Sequence, residues 1–145
     1  MELFNRSIHS SVQSVGDDLL VKSVFLDSFH EMKVEILANP QDMVIKKCNA
    51  DIIRAPHKAC YEVADKVPAL EGMVIGQGIT KTVKEKLGGR LGCVHLSSLF
   101  MEAAKALITA RYPWLTLKTE NLKESIKKEE EALAGTCYAY SQNIR

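Results

Sequence analysis

His30-Glu31-Met32-Lys33-Val34-Glu35-Ile36 alternates charged with apolar residues, the period of two expected of a β-strand with one face buried and the other in water. Met32, Val34 and Ile36 then share the buried face, and His30, of the same parity, turns its ring toward it. Downstream, Asn39-Pro40-Gln41-Asp42 supplies turn chemistry. Residues 44–53 resume a strand pattern in which Val44, Cys48, Ala50 and Ile52 fall on one face. Upstream, residues 8–15 and 19–26 flank Gly16-Asp17-Asp18, a hairpin turn. Four sequential strands joined by short turns make an antiparallel meander.

Beyond Pro56 the period becomes helical. A short helix is expected over residues 57–66, ending before Pro68 because the residue preceding a proline avoids the helical region. Ile79, Val83 and Leu87 stand four apart and predict a second helix, stopped by Gly88-Gly89. A third, the longest, starts near Cys93, with Leu96, Leu99, Phe100, Ala103 and Leu107 on one face and Pro113 closing it. A fourth starts at Asn121, whose Asn-x-x-Glu capping box uses Glu124. Its apolar line runs through Leu122, Ile126 and Leu133, and Gly135 ends it before Tyr138 and Tyr140. Along its polar side Glu124/Lys128 and Lys127/Glu131 can pair four apart. Strands followed by helices indicate an α+β fold with the helices packed on one face of the sheet. Residues 1–145 are read as a single α+β domain, mostly strands over 1–55 and mostly helices over 56–145.

The 145 residues suit one domain, and 19 Lys+Arg against 18 Asp+Glu leave the chain nearly neutral. That balance excludes binding nucleic acid over the whole surface, which needs a basic excess or stripe. No apolar run approaches the ~18 residues of a membrane span, and the start, Met1-Glu2-Leu3-Phe4-Asn5-Arg6, lacks the pattern of a secretory signal. The expected setting is the cytoplasm, where thiols stay reduced. Gly72-Met73-Val74-Ile75-Gly76-Gln77-Gly78 fits neither nucleotide-binding glycine spacing, so a tight turn into the Ile79 helix is its better reading.

The chemistry-bearing residues are four cysteines, Cys48, Cys60, Cys93 and Cys137, and four histidines, His9, His30, His57 and His95. Gly92-Cys93-Val94-His95 precedes the longest helix, where the helix dipole favours a thiolate that can ligate a metal or attack an electrophile. His57 and Cys60 stand three apart, on one side of a helical turn. Two Cys/His pairs in separate segments are what a zinc or iron-sulfur site draws upon, although any single cysteine is more often a small core hydrophobe. Cys48, on the apolar parity of its strand, reads that way, Cys137 reads as peripheral, and Trp114 reads as a packing anchor.

At these residues the sequence resembles a bacterial family catalogued as a domain of unknown function, number 2889. The resemblance spans roughly residues 30–107. Its most specific element is Leu87-Gly88-Gly89-Arg90-Leu91-Gly92-Cys93-Val94-His95-Leu96, similar to that family's Leu-Gly-Gly-x-x-Gly-Cys-x-His-Leu run. Gly72 through Thr80, Ala55-Pro56 to Cys60 and His30-Glu31-Met32 support it; Lys33 and Tyr61 depart from it. The shared positions it implies are His30, Cys60, Cys93 and His95. A more distant similarity, in the order of meander, crossover cysteine and long Ala-rich helix, is to the NifU-like iron-sulfur cluster scaffolds, which would imply a NifU-like fold.

The leading expectation is therefore a cytoplasmic metal- or cluster-binding module. Cys60 and Cys93 are its thiolate ligands, His30 and His95 complete the site, and His57 is the reserve; the cofactor is zinc or an iron-sulfur cluster. Two alternatives stay open: a thiol-dependent enzyme with Cys93 as nucleophile, and a structural domain that binds a protein partner and no metal.

Overall fold

In the computed structural model, which describes residues 1–142, the alternation around Met32 becomes the third strand of a four-stranded antiparallel sheet. Strands β1 (Arg6–Val15), β2 (Asp18–Asp27), β3 (Glu31–Ala38) and β4 (Ile45–Arg54) lie in sequence order. The meander and the α+β class are as expected. Val15 pairs with Asp18 across a two-residue loop whose first residue, Gly16, has φ +60°, a conformation that glycine adopts without a Cβ penalty.

One face of the sheet forms the core. Leu19, Val21, Ser23, Phe25 and Asp27 of β2 are buried on it, with Met32, Val34, Ile36 and Ala38 of β3. His30, just ahead of β3, is also buried, as its parity predicts. In β4 the parity differs from expectation, since Ile45 is buried and Val44 is only half-buried. Leu37 pairs with Lys47 but Ala38 with Ile45, so one extra β4 residue bulges there. The bulge exchanges the faces of the residues before it. Val44 instead forms an isolated bridge to Val74.

The helical part covers that face. Residues Lys58–Leu70 form successive 3-10 turns, burying Val67 and Leu70. Pro68, expected to lie beyond a helix ending at residue 66, heads the last of these turns, its carbonyl accepting from Glu71 N–H at 3.1 Å. An i to i+3 turn asks for no N–H at its first residue, so proline fits there. Helix α1 (Ile79–Leu87) buries Ile79, Val83 and Leu87, the predicted stripe.

Helix α2 (Val94–Leu117) buries Leu96, Leu99, Phe100, Ala103, Ala104 and Leu107. Burial of each Leu or Phe side chain contributes about 1.5–3 kcal/mol, so this stripe is a large part of the core. The helix continues past Pro113, where an end was expected; a proline removes one ladder hydrogen bond and can bend a helix without ending it.

Close contacts divide the chain into two units, Met1–Ala110 and a second starting at Arg111. In the second, α3 (Leu122–Leu133) is capped by Asn121, which accepts from Glu124 N–H at 3.3 Å, and carries the expected Lys128–Glu124 and Lys127–Glu131 pairs at 2.7 and 3.9 Å. Its expected apolar line is not buried, for Leu122 and Ile126 are both exposed. Trp114 is buried, and Tyr138–Ser141 forms the short helix α4. Among the described residues no helix is long and apolar enough to cross a membrane.

Candidate functional site

The turn between β2 and β3 is built on one carboxylate. Asp27 Oδ1 accepts from Phe29 N–H at 2.8 Å and His30 N–H at 2.7 Å, and lies 3.0 Å from His30 Nδ1. Arg6 reaches its other oxygen at 3.2 Å. Arg54 clamps the same turn from outside, donating to the carbonyls of Ser28 at 2.8 Å and Asp27 at 2.9 Å. Burial would raise the Asp27 carboxyl, but the hydrogen bonds from Phe29, His30 and Arg6 prevail and hold it well below the usual carboxylate range. A carboxylate so placed can accept the Nδ1–H of His30, the tautomer that presents Nε2 to a ligand and the arrangement of a carboxylate-oriented histidine ligand.

The second histidine arrives from a different segment. After α1, Gly88 and Gly92 fold the chain back so closely that Cys93 N–H donates to Leu87 O at 2.7 Å. A Cβ on Gly92 would stand 2.1 Å from Leu87 O, and one on Gly88 2.7 Å from Lys84 O, so only glycine fits at either position. Lys66 also donates to the Leu91 carbonyl, tying this loop to the 3-10 segment. The tight return starts α2 directly at the site, with Cys93 O accepting from Ser97 N–H at 3.0 Å and His95 in the first turn.

His95 faces His30 with ring centroids 4.2 Å apart and planes tilted by 41°. Phe25 walls both, at 5.5 Å from His95 and 6.3 Å from His30. Donor atoms of Asp27, His30 and His95 all lie within 4.8 Å of one another. Cys93 Sγ lies 4.0 Å from His95 Nδ1. Burial, then the neighbouring His30 and Arg6, push the His95 imidazole below its ordinary value, and Asp27 partly offsets them. It is thus kept neutral, the form that can ligate a metal. Arg6 stacks on Phe25 at 4.8 Å and Phe4 at 5.0 Å, roofing the carboxylate side.

Of the residues singled out from sequence, His30 and His95 are brought together, and Cys93 touches the pair through His95. Cys60, half-buried in the 3-10 segment, and His57, exposed at its start, are not in the group of three donors. Cys48 is a core residue: its Sγ donates to Val67 O at 3.1 Å, and burial together with Glu71 pushes the thiol up to about 12. Cys137 is exposed. The residue that sequence reading missed is Asp27. Its signal was available, since it has the inward parity of Phe25 and opens an Asp-Ser-Phe-His turn, where an Asp side chain commonly accepts from the backbone two residues on.

No curated protein and no solved structure matches the chain. One family model does, over residues 16–109, a span that holds Asp27, His30, Cys93 and His95. The chain belongs to that family, described as "Protein of unknown function (DUF2889)".

Proposed function

We propose that this protein binds a divalent transition metal of the zinc class, with the imidazoles of His30 and His95 and the thiolate of Cys93 as ligands. The observation that carries the reading is the convergence of Asp27, His30 and His95, from two distant segments, onto a volume 4.8 Å across. Asp27 already accepts from four N–H groups, so its role is to orient His30 and raise its basicity. Two nitrogens and one sulfur suit zinc, with Zn–N of about 2.0–2.1 Å and Zn–S of about 2.3 Å. In a tetrahedral site such ligands stand about 3.5 Å apart; Cys93 Sγ lies 4.0 Å from His95 Nδ1 and outside the group of three donors, so it has to turn inward to join them. An iron-sulfur cluster usually asks for four thiolates; the group of three donors holds none, and among the described residues Cys93 Sγ is the one thiol in contact with it, through His95. Three protein ligands leave a fourth position for water or a small ligand, the pattern of a reactive rather than a purely structural zinc site.

Metal analysis of the purified chain tests this. One zinc per chain is expected in the wild type, with uptake lost in His30→Ala and His95→Ala, weakened in Cys93→Ala, and unchanged in Cys60→Ala. Equal uptake by the wild type and both histidine variants would refute it.

The 4.0 Å contact between Cys93 and His95 also supports a second reading, a thiol nucleophile with His95 as its base. A thiol–imidazole pair needs no further partners, whereas here His30 and Asp27 converge on the same volume as His95, which favours the metal reading. Rapid alkylation of Cys93 at neutral pH, undiminished by zinc, would reverse that preference.

A further inference from the structure

We infer that the ligand admitted at this site is a small oxyanion, one oxygen on the metal and a second on the Arg6 guanidinium. The inference rests on the metal reading above and goes beyond it by naming the class of molecule that the open position takes.

Arg6 is fixed in a way that a solvated arginine is not. One of its terminal nitrogens is held 3.2 Å from Asp27 Oδ2, and its guanidinium carbon lies 4.8 and 5.0 Å from the ring centres of Phe25 and Phe4. The side chain is nevertheless 43% exposed. Among the described residues its remaining N–H donors have no protein acceptor, so a fork of donors is pre-positioned and open to solvent. Phe25, on which it rests, is the same ring that walls His30 and His95. The guanidinium is thus tied to the metal-side groups through one carboxylate and one aromatic ring.

Charge points the same way. A divalent ion, the Arg6 cation, one thiolate from Cys93 and one carboxylate from Asp27 leave a net positive charge on the site. The Arg54 guanidinium on the same turn adds to that charge; a neutral ligand leaves it uncompensated in a partly desolvated pocket, whereas an anion offsets it. Arginine presents parallel N–H donors that match two oxygens of a carboxylate or phosphate, and a zinc-class ion takes the same hard oxygen donors. Carboxylate and phosphate share this chemistry, and the experiment distinguishes them.

The test uses the full chain loaded with Co²⁺, whose visible bands report the fourth ligand, titrated separately with acetate and with inorganic phosphate. Band changes that saturate are expected with at least one anion, and the tighter of the two names the source. Arg6→Gln is expected to weaken that binding by about tenfold, the loss of one charge-assisted contact, while cobalt affinity stays near that of the wild type. Should Arg6→Gln lose cobalt by disturbing Asp27, Arg6→Lys carries the comparison: it keeps the charge and removes the fork, and weaker anion binding is again expected. Cobalt bands that neither anion moves, or anion affinity unchanged in these variants, would overturn the inference and leave the metal site standing. A wild-type chain that takes up no cobalt overturns both together.

Discussion

At the scale of single residues the site turns on Asp27, whose side chain is only 1% exposed and ionised. Removing one partner from a buried charge network leaves the others uncompensated and costs about 3–5 kcal/mol. Asp27→Ala should therefore lower unfolding free energy by that amount in urea titrations, and should weaken metal binding about 10–100-fold by releasing His30. Asp27 also sets an acid limit. Its folded-state value lies below the unfolded carboxylate value of about 3.9, so the unfolded chain binds the extra proton. The stability it contributes is complete above that unfolded value and is lost as pH falls through the folded one. His95, likewise depressed, adds a loss of the same sign that starts below the ordinary histidine value of about 6.5. Unfolding free energy measured from pH 7 down to pH 3 should fall less steeply in His95→Gln than in the wild type; identical slopes would contradict this assignment.

At the scale of elements, the loop between α1 and α2 decides whether His95 reaches His30. Gly92→Ala places a methyl against the Leu87 carbonyl that Cys93 N–H must reach, so the loop has to open. A loss of about 3 kcal/mol, together with loss of metal uptake, is expected. Gly89→Ala differs: φ is +66° but the added Cβ meets nothing, so the cost is the backbone term of about 1–2 kcal/mol and metal uptake survives. Calorimetry and metal titration of the two variants side by side check this contrast. The elements themselves were largely legible, because apolar periodicity reports a buried face directly, as Met32, Val34 and Ile36 do for β3 and Ile79, Val83 and Leu87 do for α1. Where the reading failed, long-range geometry intervened. The bulge that buries Ile45 in place of Val44 is a property of β4 pairing with β3, and alternation within β4 cannot show it. Pro68 and Pro113 marked ends by local rule, but a turn that needs no N–H and a long packed helix each tolerate a proline.

For the whole molecule, the sheet covers one face with helices and brings the start of α2 to the β2–β3 turn. Three of the four residues of the candidate site were legible: inward parity singled out His30, and the glycine-bounded Cys-x-His before a long helix singled out His95 and Cys93. The pairing of Cys60 with Cys93 is a statement about tertiary distance, which neither residue's local pattern encodes; Cys60 lies outside the group of three donors, which includes a carboxylate in a hairpin turn. Aspartates in turns are so often mere backbone acceptors that Asp27 gained significance only when His30 and His95 were seen to meet beside it. X-ray absorption at the zinc edge of the metal-loaded chain reads the proposed ligands directly. Two nitrogen ligands at about 2.0–2.1 Å and one sulfur at about 2.3 Å, with one further light atom, are the predicted shell; a shell of four sulfurs, or of oxygens without imidazole scattering, would contradict the site at His30, His95 and Cys93.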